Sequence, residues 1–169
     1  MHRICCNRRR IFGALFFFSL ILLPSAISQT VETINEQKLD SLITHRDGKP
    51  LLLNIWATWC APCREEFPDL VRISNDLKGI DVVAISADFP DEINEKILPF
   101  LKTMNVPFKV YVADFSNMDK FFGLFDKSWG GEIPATFIYN RDGKRLQFLR
   151  GKHSYEAFKN AVEEVNKKQ

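Results

Sequence analysis

Leu51-Leu52-Leu53-Asn54-Ile55-Trp56 is an almost unbroken apolar run that ends four residues before a pair of cysteines, Cys60 and Cys63. This junction limits what the chain can fold into more than anything else in it. A strand that is apolar throughout, rather than in alternation, must be covered on both faces. Past Cys60, residues Phe67, Leu70, Val71, Ile73 and Leu77 recur at helical spacing, which predicts a helix over 60–77, kinked at Pro68 and ended by Gly79. A second buried strand is expected over 80–86, and strand, helix, strand in that order implies a parallel crossover.

The rest of the chain extends the same scheme. Ahead of the first strand, a polar lead-in gives way to helical spacing over 35–44 and a turn over 45–50. After the second strand come a helix over 91–104 that Pro99 should interrupt, a short strand over 108–112, and a helix over 117–125 with Phe121, Phe122 and Phe125 turned inward. Trp129-Gly130-Gly131 breaks that helix. Residues 135–139, 140–143 and 145–149 read as strand, tight turn and strand, a β-hairpin, and 154–165 as a closing amphipathic helix. The order from the first clear strand, β-α-β-α-β-α-β-β-α, with no repeat or linker, belongs to one α/β domain.

The first residues follow another logic. Arg8, Arg9 and Arg10 precede an apolar run over 11–23, and Pro24, Ser25, Ala26, Ile27 and Ser28 follow it. Charged start, apolar middle and small residues at the end are the layout of a signal peptide, and the run of about 13 residues is short of the ~20 that a spanning helix needs. Residues 1–28 are expected to export the domain, 29–169, and to be cleaved; an uncleaved anchor on the outer face of the inner membrane is the alternative. The twin-arginine pattern is only partly matched, and no lipoprotein cysteine follows the run. Cys5 and Cys6 would leave with the signal, so two of the four cysteines, Cys60 and Cys63, remain in the mature chain. A net charge of +2 with no basic stripe excludes nothing but a nucleic-acid partner.

Trp59-Cys60-Ala61-Pro62-Cys63 therefore lies where a buried strand passes into a helix. Unpaired N–H groups and the helix dipole favour an anion at that position, so Cys60 is the expected nucleophile in disulfide exchange. Cys63, one turn further in, faces back and is placed to resolve a mixed disulfide. A zinc site lacks ligands, since His45 and His153 show no metal-ligand spacing, and no metal or other cofactor is expected beyond the cysteine pair itself. A purely structural bridge stays open, although a loop closed over two residues constrains the unfolded chain little.

The stretch Asn54-Ile55-Trp56-Ala57-Thr58-Trp59-Cys60-Ala61-Pro62-Cys63-Arg64-Glu65-Glu66-Phe67-Pro68 resembles the thioredoxin superfamily, in its exported TlpA-like branch, which includes cytochrome c maturation reductases. The resemblance implies a thioredoxin fold, a central mixed sheet flanked by helices. Glu132-Ile133-Pro134-Ala135-Thr136 is similar to the family's cis-proline loop, which would make Pro134 cis and set it facing the cysteines; without the cysteines it would read as a strand-start proline. Trp59, Pro62, Ile133 and Pro134 are the residues expected at the substrate contact, with packing as the first role of Trp56 and Trp59. Asn54 departs from thioredoxin itself, which carries a buried acid there, and Glu66 matches a glutamate of the cytochrome-maturation relatives. Glu66 is the expected proton-transfer partner, Glu65 a solvated neighbour.

The family direction is reduction of protein disulfides in the periplasm, apocytochrome c being one candidate substrate, with re-reduction by a membrane-embedded thiol donor and the chain acting as a monomer. An oxidase or isomerase would use the same atoms at a higher potential, and a non-catalytic module would keep only the groove near Pro134. A one-cysteine peroxidase fits poorly with a paired motif.

Overall fold

The computed structural model describes residues 30–45 and 47–168, so the expected signal segment, with Cys5 and Cys6, lies outside the described residues. A six-stranded sheet in the order β1-β4-β3-β2-β5-β6 forms the middle layer. Its strands are β1 Glu32–Ile34, β2 Leu51–Trp56, β3 Asp81–Ser86, β4 Lys109–Ala113, β5 Ala135–Tyr139 and β6 Arg145–Arg150; the helices are α1 Glu36–Thr44, α2 Ala61–Asp76, α3 Leu98–Thr103, α4 Met118–Phe125 and α5 Tyr155–Lys167. β1, β4, β3 and β2 are parallel, β5 runs antiparallel beside β2, and β6 runs antiparallel beside β5.

β2 sits inside the sheet, and all of its residues are buried. Alternation along it sorts its side chains into two cores. Leu52 and Trp56 join Phe67, Leu70 and Ile73 of α2 and Phe158, Val162 and Val165 of α5. Leu51, Leu53 and Ile55 join Leu39 of α1, Phe121 and Phe125 of α4, and Trp129. Asn54 falls on the α2 side by the same rule and is the one polar residue of the strand. Aromatic packing is dense in both layers: Trp56 and Phe67 have ring centroids 4.4 Å apart, and Phe137 stacks between Phe125 and Phe148 at 4.9 and 4.4 Å.

Several sequence boundaries move. The polar lead-in contains a strand, β1, which pairs with β4 and buries only Ile34. Three residues are too few to show an alternation. Lys38 and Lys109 both bond Glu32 at this edge and hold its carboxyl down at about 2. α2 runs on through Pro68 and ends at Asp76, capped by Leu77 rather than stopped by Gly79. The helix expected over 91–104 is three pieces: a 3₁₀ turn Pro90–Glu92, a π-helical turn Ile93–Ile97, and α3, with Pro99 in its first turn where a missing N–H is harmless. Phe121 and Phe125 point inward as expected, while Phe122 is half-buried.

Gly131, in the segment leading to Pro134, has φ +90, and a Cβ there would stand 2.3 Å from the Phe122 ring. Gly131→Ala is expected to lower stability by about 2 kcal/mol or more in urea unfolding, from left-handed strain plus a displaced aromatic.

Candidate active site

α2 begins where β2 ends, and Cys60 is the residue at the joint. Cys60 is the N-cap: its backbone is extended, and its Sγ accepts the Cys63 backbone N–H at 3.3 Å. A thiolate at that point takes a charge-assisted hydrogen bond and the positive end of the helix dipole, about 0.3–1 kcal/mol for the dipole alone. Ala61 and Pro62 fill the first two helical positions, where proline forfeits no hydrogen bond. Cys60 and Cys63 are joined as a disulfide. Their exposure differs in the expected sense, 5% for Cys60 against 1% for Cys63.

The Ile133-Pro134 peptide bond is cis. It brings the Ile133 carbonyl oxygen to 3.7 Å from Cys60 Sγ, so both signature segments meet at one sulfur. The loop is braced from behind. Trp129 Nε1 donates to the Glu132 carbonyl at 3.0 Å, and the Gly151 amide donates to the Pro134 carbonyl at 2.9 Å. Trp59 stands 67% exposed beside Cys60, while Trp56 is wholly in the core.

Glu66 is buried, at 1% exposure, against Glu65, which is exposed and paired with Lys152 at 2.7 Å. Asn54 Nδ2 donates to Glu66 Oε1 at 2.9 Å and to Thr136 Oγ1 at 2.9 Å; the His153 amide donates to Glu66 Oε2 at 2.7 Å. Burial pushes the Glu66 carboxyl up to about 7, with those two donors opposing the shift. One network thus links the active-site helix, β2, the strand after Pro134 and the entry to α5. Asn54 Oδ1 has no partner among the described residues. A half-turn of the amide would swap its donor and acceptor, so the same side chain can serve Glu66 ionised or protonated.

Sequence reasoning missed a second buried carboxylate. Asp88 accepts the Thr58 amide at 2.8 Å, the Thr58 hydroxyl at 2.6 Å and the Ser86 hydroxyl, pinning the loop that carries Trp59 and Cys60 to the end of β3. Asp88 lies 30 residues from Thr58 in the chain, and no local pattern announces such a pair. Among the described residues no group of three or more metal-binding side chains occurs.

The sheet order, the sulfur at a helix cap and the cis-proline beside it define a thioredoxin-fold protein with a paired-cysteine site. Residues 24–145 match the model of the AhpC/TSA family, and the chain belongs to that family. Thiol-disulfide oxidoreductase ResA of Bacillus subtilis (strain 168) is 28% identical over 153 residues, which are 88% of this chain and 79% of ResA. Thiol:disulfide interchange protein HelX of Rhodobacter capsulatus is 37% identical over 108 residues, 63% of this chain and 54% of HelX. The ResA of Bacillus thuringiensis subsp. konkukian is 27% identical over 120 residues, 70% of this chain and 64% of that protein, so the match spans less than two thirds of these last two relatives. Among solved structures, a thioredoxin-related protein of Neisseria meningitidis serogroup B superposes with a TM-score of 0.62 at 27% identity, covering 73% of this chain and 89% of that one. A thioredoxin-family thiol:disulfide interchange protein of Chlorobium tepidum TLS gives 0.59 at 28% identity, covering 70% and 80%.

The raised Glu66 carboxyl fixes the sign of a pH effect. The folded chain holds this proton to about 7, whereas an ordinary glutamate releases it at 4.5, so the contribution of Glu66 to stability is fully present below 4.5 and is lost as pH rises through 7. Urea unfolding of the oxidised protein is expected to show Glu66→Gln gaining on the wild type across that window, by up to about 3 kcal/mol. Parallel pH profiles for the two proteins would contradict the assignment.

Proposed function

We propose that the chain is an exported thiol:disulfide oxidoreductase that reduces protein disulfides. The observation that carries this reading is the Cys60 sulfur, capped by the Cys63 amide and placed beside the Ile133 carbonyl. The names of ResA and HelX, both thiol:disulfide proteins, support the chemistry. Export is supported by the layout of Arg8 to Ser28, and apocytochrome c is proposed among the exported substrates.

In the reduced protein the Cys60 thiolate attacks one sulfur of a substrate disulfide. A bond forms between Cys60 Sγ and that sulfur, the substrate bond breaks, and the departing thiolate takes a proton from water. Cys63 then gives its proton to Glu66 and attacks Cys60 Sγ, releasing the second substrate thiolate. Two electrons have passed to the substrate, and the cysteines stand oxidised, as in this structure. A membrane-embedded dithiol donor restores them. The Glu66 value of about 7 suits this step, since a proton acceptor works best when its affinity matches the ambient pH. Trp59, Pro62, Ile133 and Pro134 form the surface on which an extended substrate segment lies. The reaction needs no metal or organic cofactor, and one copy of the chain carries every residue used.

Cys63→Ser is expected to accumulate a mixed disulfide through Cys60, seen as a mass shift reversed by dithiothreitol, whereas Cys60→Ser traps nothing. Glu66→Gln is expected to slow resolution about tenfold or more at pH 7 while the first attack stays near the wild-type rate; an unchanged resolution rate removes Glu66 from the mechanism. Equilibration with glutathione should place the couple below about −200 mV, and a value near about −120 mV would overturn the reductase direction.

A further inference from the structure

Three large apolar side chains are exposed among the described residues: Trp59 at 67%, Phe89 at 71% and Leu124 at 39%. Leu124 belongs to α4. Trp59 and Phe89 follow the C-terminal ends of two neighbouring strands, and the pairing of β2 with β3 sets them at the same end of the sheet. Trp56 is in register with Ser86 where the strands end, and the two chains stay joined beyond that point. The Ala87 amide donates to the Trp56 carbonyl at 2.8 Å, and the Thr58 amide to Asp88 Oδ2 at 2.8 Å. One residue past this clamp, the first chain carries Trp59 and the second Phe89. The Phe89 backbone is held in turn: its amide donates to Glu92 Oε2 at 3.0 Å, and Pro90 fixes the turn that follows. Two aromatic side chains are thus kept out of both cores on a firm backbone, one of them on the residue that precedes Cys60.

Resting on the thiol-disulfide reading above, we propose that Phe89, with Trp59, forms an aromatic rim that takes an apolar side chain adjacent to the disulfide cysteine of an extended substrate segment. The position of the rim identifies this occupant. β2 lies between β3 and β5, so the rim on the β3 side and the Ile133 carbonyl on the β5 side flank Cys60 from opposite directions. A segment crossing the sulfur meets a main-chain acceptor on one side and aromatic surface on the other. Trp59, Ala61, Pro62, Phe89 and Pro90 carry no charge, so the contact these residues offer is apolar, with the exposed Asp91 and the Lys96-paired Glu92 following in the same turn. Phe89 is a specificity residue in this account and takes no part in the exchange of bonds.

The test uses the reduced full chain and two synthetic peptides, each closed by one disulfide and alike in length and charge. One has Leu beside the cysteine and the other Ser. Each single turnover oxidises the Cys60–Cys63 dithiol and reduces the peptide disulfide to two thiols, and the limiting rate and half-saturating concentration are read for each peptide. The wild type is expected to prefer the Leu peptide, and Phe89→Ala to lose about fivefold of that preference, carried in the half-saturating concentration. Leu124→Ala is expected to keep the wild-type preference. An equal preference in Phe89→Ala and wild type overturns the rim alone. So does an equal fall in limiting rate on both peptides, which marks a structural role, or a changed sedimentation coefficient with preference intact, which marks a self-association face. A wild-type protein that reduces neither peptide removes the thiol-disulfide reading, and the rim with it.

Discussion

The N–H of Cys63 directed at the sulfur of Cys60 is the contact on which the site depends, and most of the fold can be traced to keeping it in place. It exists because a helix starts at the residue where a buried strand has just stopped. β2 cannot shift by one residue without turning Leu51, Leu53 and Ile55 out of one core and Leu52 and Trp56 out of the other, so the exit point of the strand is fixed in space. The Asp88 carboxylate then holds the short link between strand and helix by both the amide and the hydroxyl of Thr58. From the other side of β2, the cis peptide before Pro134 sets a carbonyl against the same sulfur. Local capping, sheet register and a loop some seventy residues downstream converge on one atom.

Beneath the cysteines the structure keeps an acid where burial alone would exclude one. Glu66 is tolerated because Asn54 and the His153 amide satisfy both of its oxygens, and its cost in desolvation appears as a raised proton affinity rather than as an empty charge. Asn54 reaches Thr136 as well, so the buried acid is tied to the strand that follows the cis-proline loop. An amide in place of a second carboxyl avoids two like charges sharing one dry space.

What the sequence disclosed depended on how local the physics was. The unbroken apolar run of β2, the amphipathic faces of α2 and α5, and the hairpin around Gly143 are all written in short windows, and each appears close to its expected place. The cysteine pair was legible for the same reason, because a helix N-terminus is a property of a few consecutive residues. β1 was hidden by its length and by a pairing partner far along the chain. The pattern over 91–104 reads as one helix interrupted at Pro99, whereas side-chain packing of Ile97 and Leu101 into the core is met by three different helical windings in succession, starting at Pro90. Glu65 and Glu66 are told apart in sequence by the family resemblance, and the folded chain gives the physical reason: Asn54 and the His153 amide meet Glu66, while Glu65 faces Lys152 at the surface. Asp88 is silent in the sequence because its meaning comes from meeting Thr58 in the folded chain.

The most direct measurement of the central claim is the ionisation of the two thiols in the reduced protein, followed by thiolate absorbance and by the rate of alkylation at each cysteine as pH is raised. Cys60 should titrate clearly below the about 8.5 of a free cysteine and should be alkylated first, with Cys63 protected. A Cys60 thiol that ionises at or above about 8.5, or a Cys63 that is alkylated before it, would contradict the account.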